Sequence, residues 1–121
     1  MLNLLLLIFF SIVQSNNEFE IEQTILTIKS NIENKELMIY EWNEFKYQIY
    51  SIIIQEGVEN IPIGAFKEFI NLRFLNIPNS LEKINDYSFQ YSGLQELNLE
   101  LSNIKIISEN KNGIIKSVSY D

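Results

Sequence analysis

Residues 71–89 read "NLRFLNIPNSLEKINDYSF", and residues 48–66 read "QIYSIIIQEGVENIPIGAF". The two segments place apolar residues in the same slots and close on the same phenylalanine. The first half of each follows L-x-x-L-x-I: Ile49, Ile52 and Ile54, then Leu72, Leu75 and Ile77. The pattern returns as Leu94, Leu97 and Leu99, and again as Ile115, Val118 and Tyr120. First positions at 49, 72, 94 and 115 give periods of 23, 22 and 21 residues. The second halves agree too, Val58 with Leu81, Ile61 with Ile84, Ala65 with Ser88 and Phe66 with Phe89. In the third unit Ile104 and Ile107 fill the first two of these slots. Agreement at so many slots marks an internal repeat, not the coincidences of an isoleucine-rich chain.

A period in the low twenties has a physical meaning. Alternation in L-x-x-L-x-I turns the fourth and sixth residues to one face of a short strand. One such strand with a return arm cannot bury its apolar side, whereas stacked copies share a continuous core. Gly57, Pro78 and Asn79 punctuate the turns that leave the strands, and Phe66 and Phe89 are expected to plug the space between units. The expected fold is therefore an α/β-type repeat solenoid. It is a short, right-handed leucine-rich-repeat coil with a small strand-rich N-terminal cap and few or no helices.

The stretch "EGVENIPIGAFKEFINLRFLNIPNSLEKINDYSFQYSGLQELNL" resembles the BspA-like leucine-rich repeats, whose units run approximately L-x-x-I-x-I-P-x-S-V-x-x-I-G-x-x-A-F. Leu72, Leu75, Ile77, Pro78, Ser80, Leu81, Ile84 and Phe89 carry the resemblance, with Glu56, Gly57, Val58, Ile61, Ala65 and Phe66 in the preceding unit. Upstream, Leu26, Thr27, Ile28, Trp42 and Tyr47 are similar to the family's opening cap. Resemblance covers about Leu26 to Leu101. The family's cysteine is absent, and Pro62 or Asn85 stands where its glycine follows the isoleucine. The resemblance implies a surface-antigen or adhesion-type protein that binds proteins or extracellular matrix through its sheet face.

Composition excludes much else. The chain has 121 residues, room for one small domain. It contains no histidine and no cysteine, which removes disulfides, thiolate or imidazole metal sites and histidine-dependent nucleophilic catalysis. A net charge of -7 without a basic run argues against nucleic acid. The expectation is a non-enzymatic protein with no cofactor, no metal and no catalytic residue. Glu33, Glu36, Glu41 and Glu44 crowd the cap, but no sequence feature builds the cleft that a carboxylate pair needs, and no calcium loop occurs. No asparagine is followed at the second position by Ser or Thr, so N-glycosylation is not expected.

The apolar run Leu2 to Val13 is shorter than the roughly 20 residues of a membrane span. Val13 and Ser15 sit at the -3 and -1 positions of a cut before Asn16, as in a secretory signal peptide, although no Lys or Arg precedes the run. The expected organisation is a signal peptide over 1–15, an N-terminal cap over 16–48, and repeats over 49–121 comprising three units and a terminal strand. That organisation predicts an extracellular or cell-surface location without a transmembrane span.

The outward strand positions are the candidate protein-binding residues: Ser51, Ile53 and Gln55; Phe74, Asn76 and Pro78; Glu96, Asn98 and Glu100; Ser117 and Ser119. Ile53 and Phe74 are apolar where exposure is expected and lie on neighbouring strands. They form either a contact spot for a partner or incidental surface hydrophobes that pack locally. The chain stops after the fourth strand without a polar covering segment. A second reading is therefore a truncated or structural repeat fragment that associates with other repeat chains, copies of itself included, through its uncapped C-terminal edge, by way of Ile115 and Val118.

Overall fold

The computed structural model describes residues 14–94, together with the backbone of three further strands at Leu97–Leu99, Ile106–Ile107 and Ile115–Val118. The apolar run Leu2–Val13 lies outside these residues. The strands are β1 (Gln14–Ser15), β2 (Phe19–Glu22), β3 (Ile25–Ile28), β4 (Ser51–Ile54), β5 (Asn60–Ile61), β6 (Phe74–Asn76), β7 (Lys83–Ile84), β8 (Leu97–Leu99), β9 (Ile106–Ile107) and β10 (Ile115–Val118). Helical structure among the described residues is one 3₁₀ turn at Asn43–Phe45.

Two ladders carry the repeat. In the first sheet the order is β1-β2-β3-β4-β6, antiparallel within the β1-β2-β3 segment and parallel from β3 onward. Ile52 pairs with Leu75 and Ile61 with Ile84, each across 23 residues, so the sequence period is the register of the parallel ladders. The second sheet has the order β5-β7-β9 and is parallel throughout. Strands β8 and β10 pair in parallel, with an irregularity between Ile115 and Ser117.

Backbone groups of the return arms are satisfied between units too. The N–H groups of Gly64, Phe66 and Glu68 donate to the carbonyls of Asp86, Ser88 and Gln90 at 2.8 to 2.9 Å. Alternate N–H groups of the arm thus find partners one unit away, while those of Ala65 and Lys67 bond within the arm, to the carbonyls of Pro62 and Gly64, as burial requires. The arm also imposes its backbone shape on each copy. Gly64 and Tyr87 share a left-handed conformation (φ 63° and 62°), as do Glu68 and Tyr91 (66° and 58°). Only the first of these four positions holds the glycine that suits it.

Alternation decides the core. Leu26 and Ile28 on β3, and Ile52 and Ile54 on β4, are buried, as are the first-position residues Ile49, Leu72 and Leu94. Each aliphatic side chain buried in this way contributes about 1.5–3 kcal/mol. Along the return arms runs an aromatic ladder, Phe19 to Trp42 to Phe66 to Phe89, with ring centroids 5.4, 6.0 and 5.5 Å apart. Phe66 and Phe89 occupy the joint between units, and Trp42 supplies the same plug one unit earlier.

The cap is more than a lid. Its strand β3 pairs with β4 in parallel, matching Leu26 to Ile52 and Ile28 to Ile54, and so continues the ladder. Where it has no strand to offer β5, side chains stand in. Asn31 Oδ1 accepts from the N–H groups of Glu59 and Asn60 at 2.8 and 3.3 Å. Asn34 Oδ1 accepts from Ile63 N–H at 2.8 Å. The Tyr40 hydroxyl donates to the Ile63 carbonyl at 2.5 Å, and Trp42 Nε1–H to the Ala65 carbonyl at 2.7 Å. These bonds close an edge that would otherwise leave orphan donors and acceptors. Burial holds the Tyr40 hydroxyl above the usual phenol pKa, in keeping with its role as a donor.

Candidate functional site

The outward side of the first sheet is built in rows by its register. One row runs Glu22, Ile25, Ser51, Phe74, and the next runs Glu20, Thr27, Ile53, Asn76. Their partners at the intervening positions face the core, so alternation within "FEIE", "ILTI" and "SIII" puts these eight residues on one surface. Phe74 is 68% exposed, and Ile25 and Ile53 are each 38% exposed. Register sets Phe74 opposite Ser51 and Ile53 opposite Asn76, so the two apolar residues are diagonal neighbours. A third apolar side chain, Ile25, extends the spot toward the cap.

Other expected positions fall differently. Ser51 is half-buried, Asn76 is exposed, and Gln55 is exposed just beyond the end of β4. Pro78, expected on this face from strict alternation, is buried. Strand β6 ends at Asn76, and the Leu81 N–H closes a turn onto the Pro78 carbonyl at 3.2 Å, so the alternation no longer applies there. Asn98 lies on β8, whose backbone alone is described, and Glu96 lies outside the described residues, as do Glu100 and Ser119. Ile115, Ser117 and Val118 lie on β10, whose backbone alone is described.

Glu20 and Glu22 are the residues that sequence reading missed. They share the face because β2 folds back on β3 as a hairpin, and the alternation of "FEIE" was the available signal. Neither carboxylate has an ion-pair partner among the described residues, where the one salt bridge is Lys46 to Glu68 at 3.0 Å. Glu20 accepts a long hydrogen bond from Ser15 Oγ at 3.4 Å. The cations that adjoin β3 and β6 in sequence, Lys29 and Arg73, are engaged in hydrogen bonds of their own. Lys29 Nζ donates to the Asn16 carbonyl at 3.1 Å, and Arg73 donates to the carbonyls of Ile70 and Leu72 at 3.1 and 2.9 Å. Arg73 also lies over the Tyr50 ring, 6.0 Å from its centroid. The face is thus acidic on its cap side and apolar on its repeat side.

The Lys46–Glu68 pair belongs to the return arm and not to this face. The hydrogen bond from Lys46 lowers the carboxyl pKa of Glu68, and the same bond raises the ammonium pKa of Lys46. The arrangement of the face offers shape and charge for contact.

A family profile described as a BspA type leucine-rich repeat region, in 6 copies, matches residues 39–112. The chain belongs to the BspA-type leucine-rich-repeat family. The match begins ahead of Ile49 and takes in Tyr40 and Trp42, the residues that seal the first return arm. Among curated proteins and among solved structures, nothing matches the chain. Leucine-rich-repeat domains typically mediate protein interactions, and BspA-type members are often associated with surfaces. Among the described residues, no helix is long and apolar enough to cross a membrane.

Proposed function

We propose that this BspA-type chain is a secreted or cell-surface recognition module. Its repeats form a short right-handed solenoid, and its sheet face binds a protein or extracellular-matrix ligand without catalysis or cofactor. The observation that carries this reading is the exposure of Phe74, a large aromatic two-thirds open to water, diagonal to exposed Ile53 on a sheet otherwise ordered by its core. Aromatic anchors of this kind dominate binding energy at protein interfaces. Exported through a leader cut before Asn16, the chain would meet such ligands outside the cell. The cut would remove β1, whose two residues make the outermost pairing of the sheet. The hairpin does not depend on that pairing, because Asn16 Oδ1 accepts from the N–H groups of Glu18 and Phe19 at 2.8 and 2.9 Å.

The test is adhesion of beads coated with the full chain to a panel of purified matrix proteins and to cell surfaces. Wild type and Phe74→Ser are compared at equal, circular-dichroism-verified folding. Adhesion that falls on substitution supports the reading, and identical adhesion removes Phe74 from it. N-terminal sequencing of the exported chain is expected to begin at Asn16, and retention of Met1 would refute the leader.

A further inference from the structure

Charge and apolar surface are segregated on the sheet face, and the distance between them is fixed by the ladder. Glu22 on β2 and Phe74 on β6 lie in the same row, three strand spacings apart, which is about 14 Å at 4.7–4.9 Å per spacing. Ile25 and Ser51 lie between them. Glu22 has no ion-pair or hydrogen-bond partner among the described residues, and Glu20 in the adjacent row has only its long bond from Ser15. Lys29 and Arg73, which adjoin β3 and β6 in sequence, are tied to backbone carbonyls. A chain of net charge -7 has little else to neutralise these carboxylates.

We propose that the face takes an extended polypeptide segment lying across the strands, with an apolar anchor over Phe74 and a lysine or arginine four residues away over Glu22. This inference rests on the sheet-face reading above and adds the chemistry and spacing of the partner. Four residues of extended chain span about 13 Å, and an even separation keeps both side chains on the same side of the segment. The residue between them, two positions from each, meets Ile25 and Ser51 and is apolar. Partner cations complement the acidic hairpin, and the charge sets orientation, since a reversed segment would lay its apolar anchor over Glu22 and leave that carboxylate without a cation.

The probe is the blocked heptapeptide SFSVSKS, titrated into the isotope-labelled full chain and followed by amide shifts of β3, β4 and β6. It is compared with SFSVSES and with SFSVKSS, in which the lysine moves to the opposite side of the strand. SFSVSKS is expected to bind roughly fivefold or more tightly than either at low salt, a gap that closes near 1 M salt. Phe74→Ser is expected to weaken it about tenfold. Glu22→Lys, at an exposed position, is expected to invert the preference toward SFSVSES, while Glu22→Asp retains the original order. Equal binding of the lysine and glutamate peptides, a preference indifferent to Glu22→Lys, or no shift on these strands with SFSVSKS overturns the proposal. If Phe74→Ser abolishes binding while the charges prove indifferent, the sheet face survives as a binding surface and only the cationic partner falls. If Phe74→Ser changes nothing, the face itself is refuted.

Discussion

Trp42 joins the cap to the repeats, and its replacement measures how much of the fold depends on that joint. Its side chain is 1% exposed, stacked on Tyr40 at 5.0 Å and set edgewise to Phe19 at 5.4 Å. Its indole N–H donates to the carbonyl of fully buried Ala65 at 2.7 Å. Trp42→Phe keeps an aromatic ring in the ladder but orphans that carbonyl, which costs about 1–3 kcal/mol. The smaller ring leaves unfilled volume worth about another 1 kcal/mol. Trp42→Ala removes the ring altogether, and such truncations cost about 3–5 kcal/mol. A chain of this size has roughly 5–15 kcal/mol to lose. The assay is urea unfolding followed by far-ultraviolet circular dichroism, because the substitution removes the sole tryptophan. With a urea slope of about 1–3 kcal/mol per molar, Trp42→Phe should lower the midpoint by roughly 1–2 M. Leu37→Ala is the control, a cap residue 81% exposed, where a change within about 0.5 kcal/mol is expected. If Trp42→Phe unfolds at the midpoint of Leu37→Ala, the cap does not share the core of the repeats and the account of the joint is wrong.

Gly93 is expected to reject a side chain. A Cβ there would collide with the backbone carbonyls of Ile70 and Leu72 and with the Arg73 guanidinium, so Gly93→Ala should lower stability by about 1–3 kcal/mol, read as a fall in Tm. Tyr91→Gly should act in the opposite direction. Tyr91 is 69% exposed at φ 58°; relief of about 1–2 kcal/mol of left-handed strain outweighs glycine's added unfolded-state freedom of about 0.5–1, and Tm should rise by a few degrees. The Lys46–Glu68 pair gives a pH dependence. Because its folded-state pKa is depressed, Glu68 contributes stability above the ordinary carboxylate range, and that contribution fades as pH falls through the lowered value. Lys46, raised, loses its share only as alkaline pH passes its folded-state value. The difference in Tm between wild type and Glu68→Gln should therefore be present at pH 7, vanish in acid and shrink in high salt, and a difference that persists in acid would contradict the pairing.

The repeat was legible because burial acts on identical slots: Ile52 and Leu75, or Ile61 and Ile84, face the same core and so share an apolar identity. The cap's membership in the stack was not legible, for two reasons. Leu26 pairs with Ile52 across 26 residues, so at its strand the cap breaks the period that revealed the rest. Its sealing work is done by single side chains, Asn31, Asn34, Tyr40 and Trp42, which bond to backbone and leave no periodic trace. The left-handed positions were hidden likewise, since Tyr87, Tyr91 and Glu68 occupy conformations that a glycine would have announced. On the candidate face, Ile53 and Phe74 could be found by alternation. Glu20, Glu22 and Ile25 could be joined to them only once the hairpin and its parallel register were known.

Those two facts together determine how the proposed binding face is held. Phe74 and Ile53 come from the repeats and Glu20 and Glu22 from the cap, so their relation depends on a single parallel pairing, β3 on β4. A slip of one residue there would turn Leu26 and Ile28 to water and bury Ile25 and Thr27 in their place. The core would then lose one large aliphatic in exchange for a threonine hydroxyl without a partner, about 1.5–3 kcal/mol from the first and about 1–3 from the second. The spacing between carboxylate and aromatic on the outside is therefore enforced by packing on the inside. Substitutions that loosen the cap should blur ligand preference before they unfold the chain.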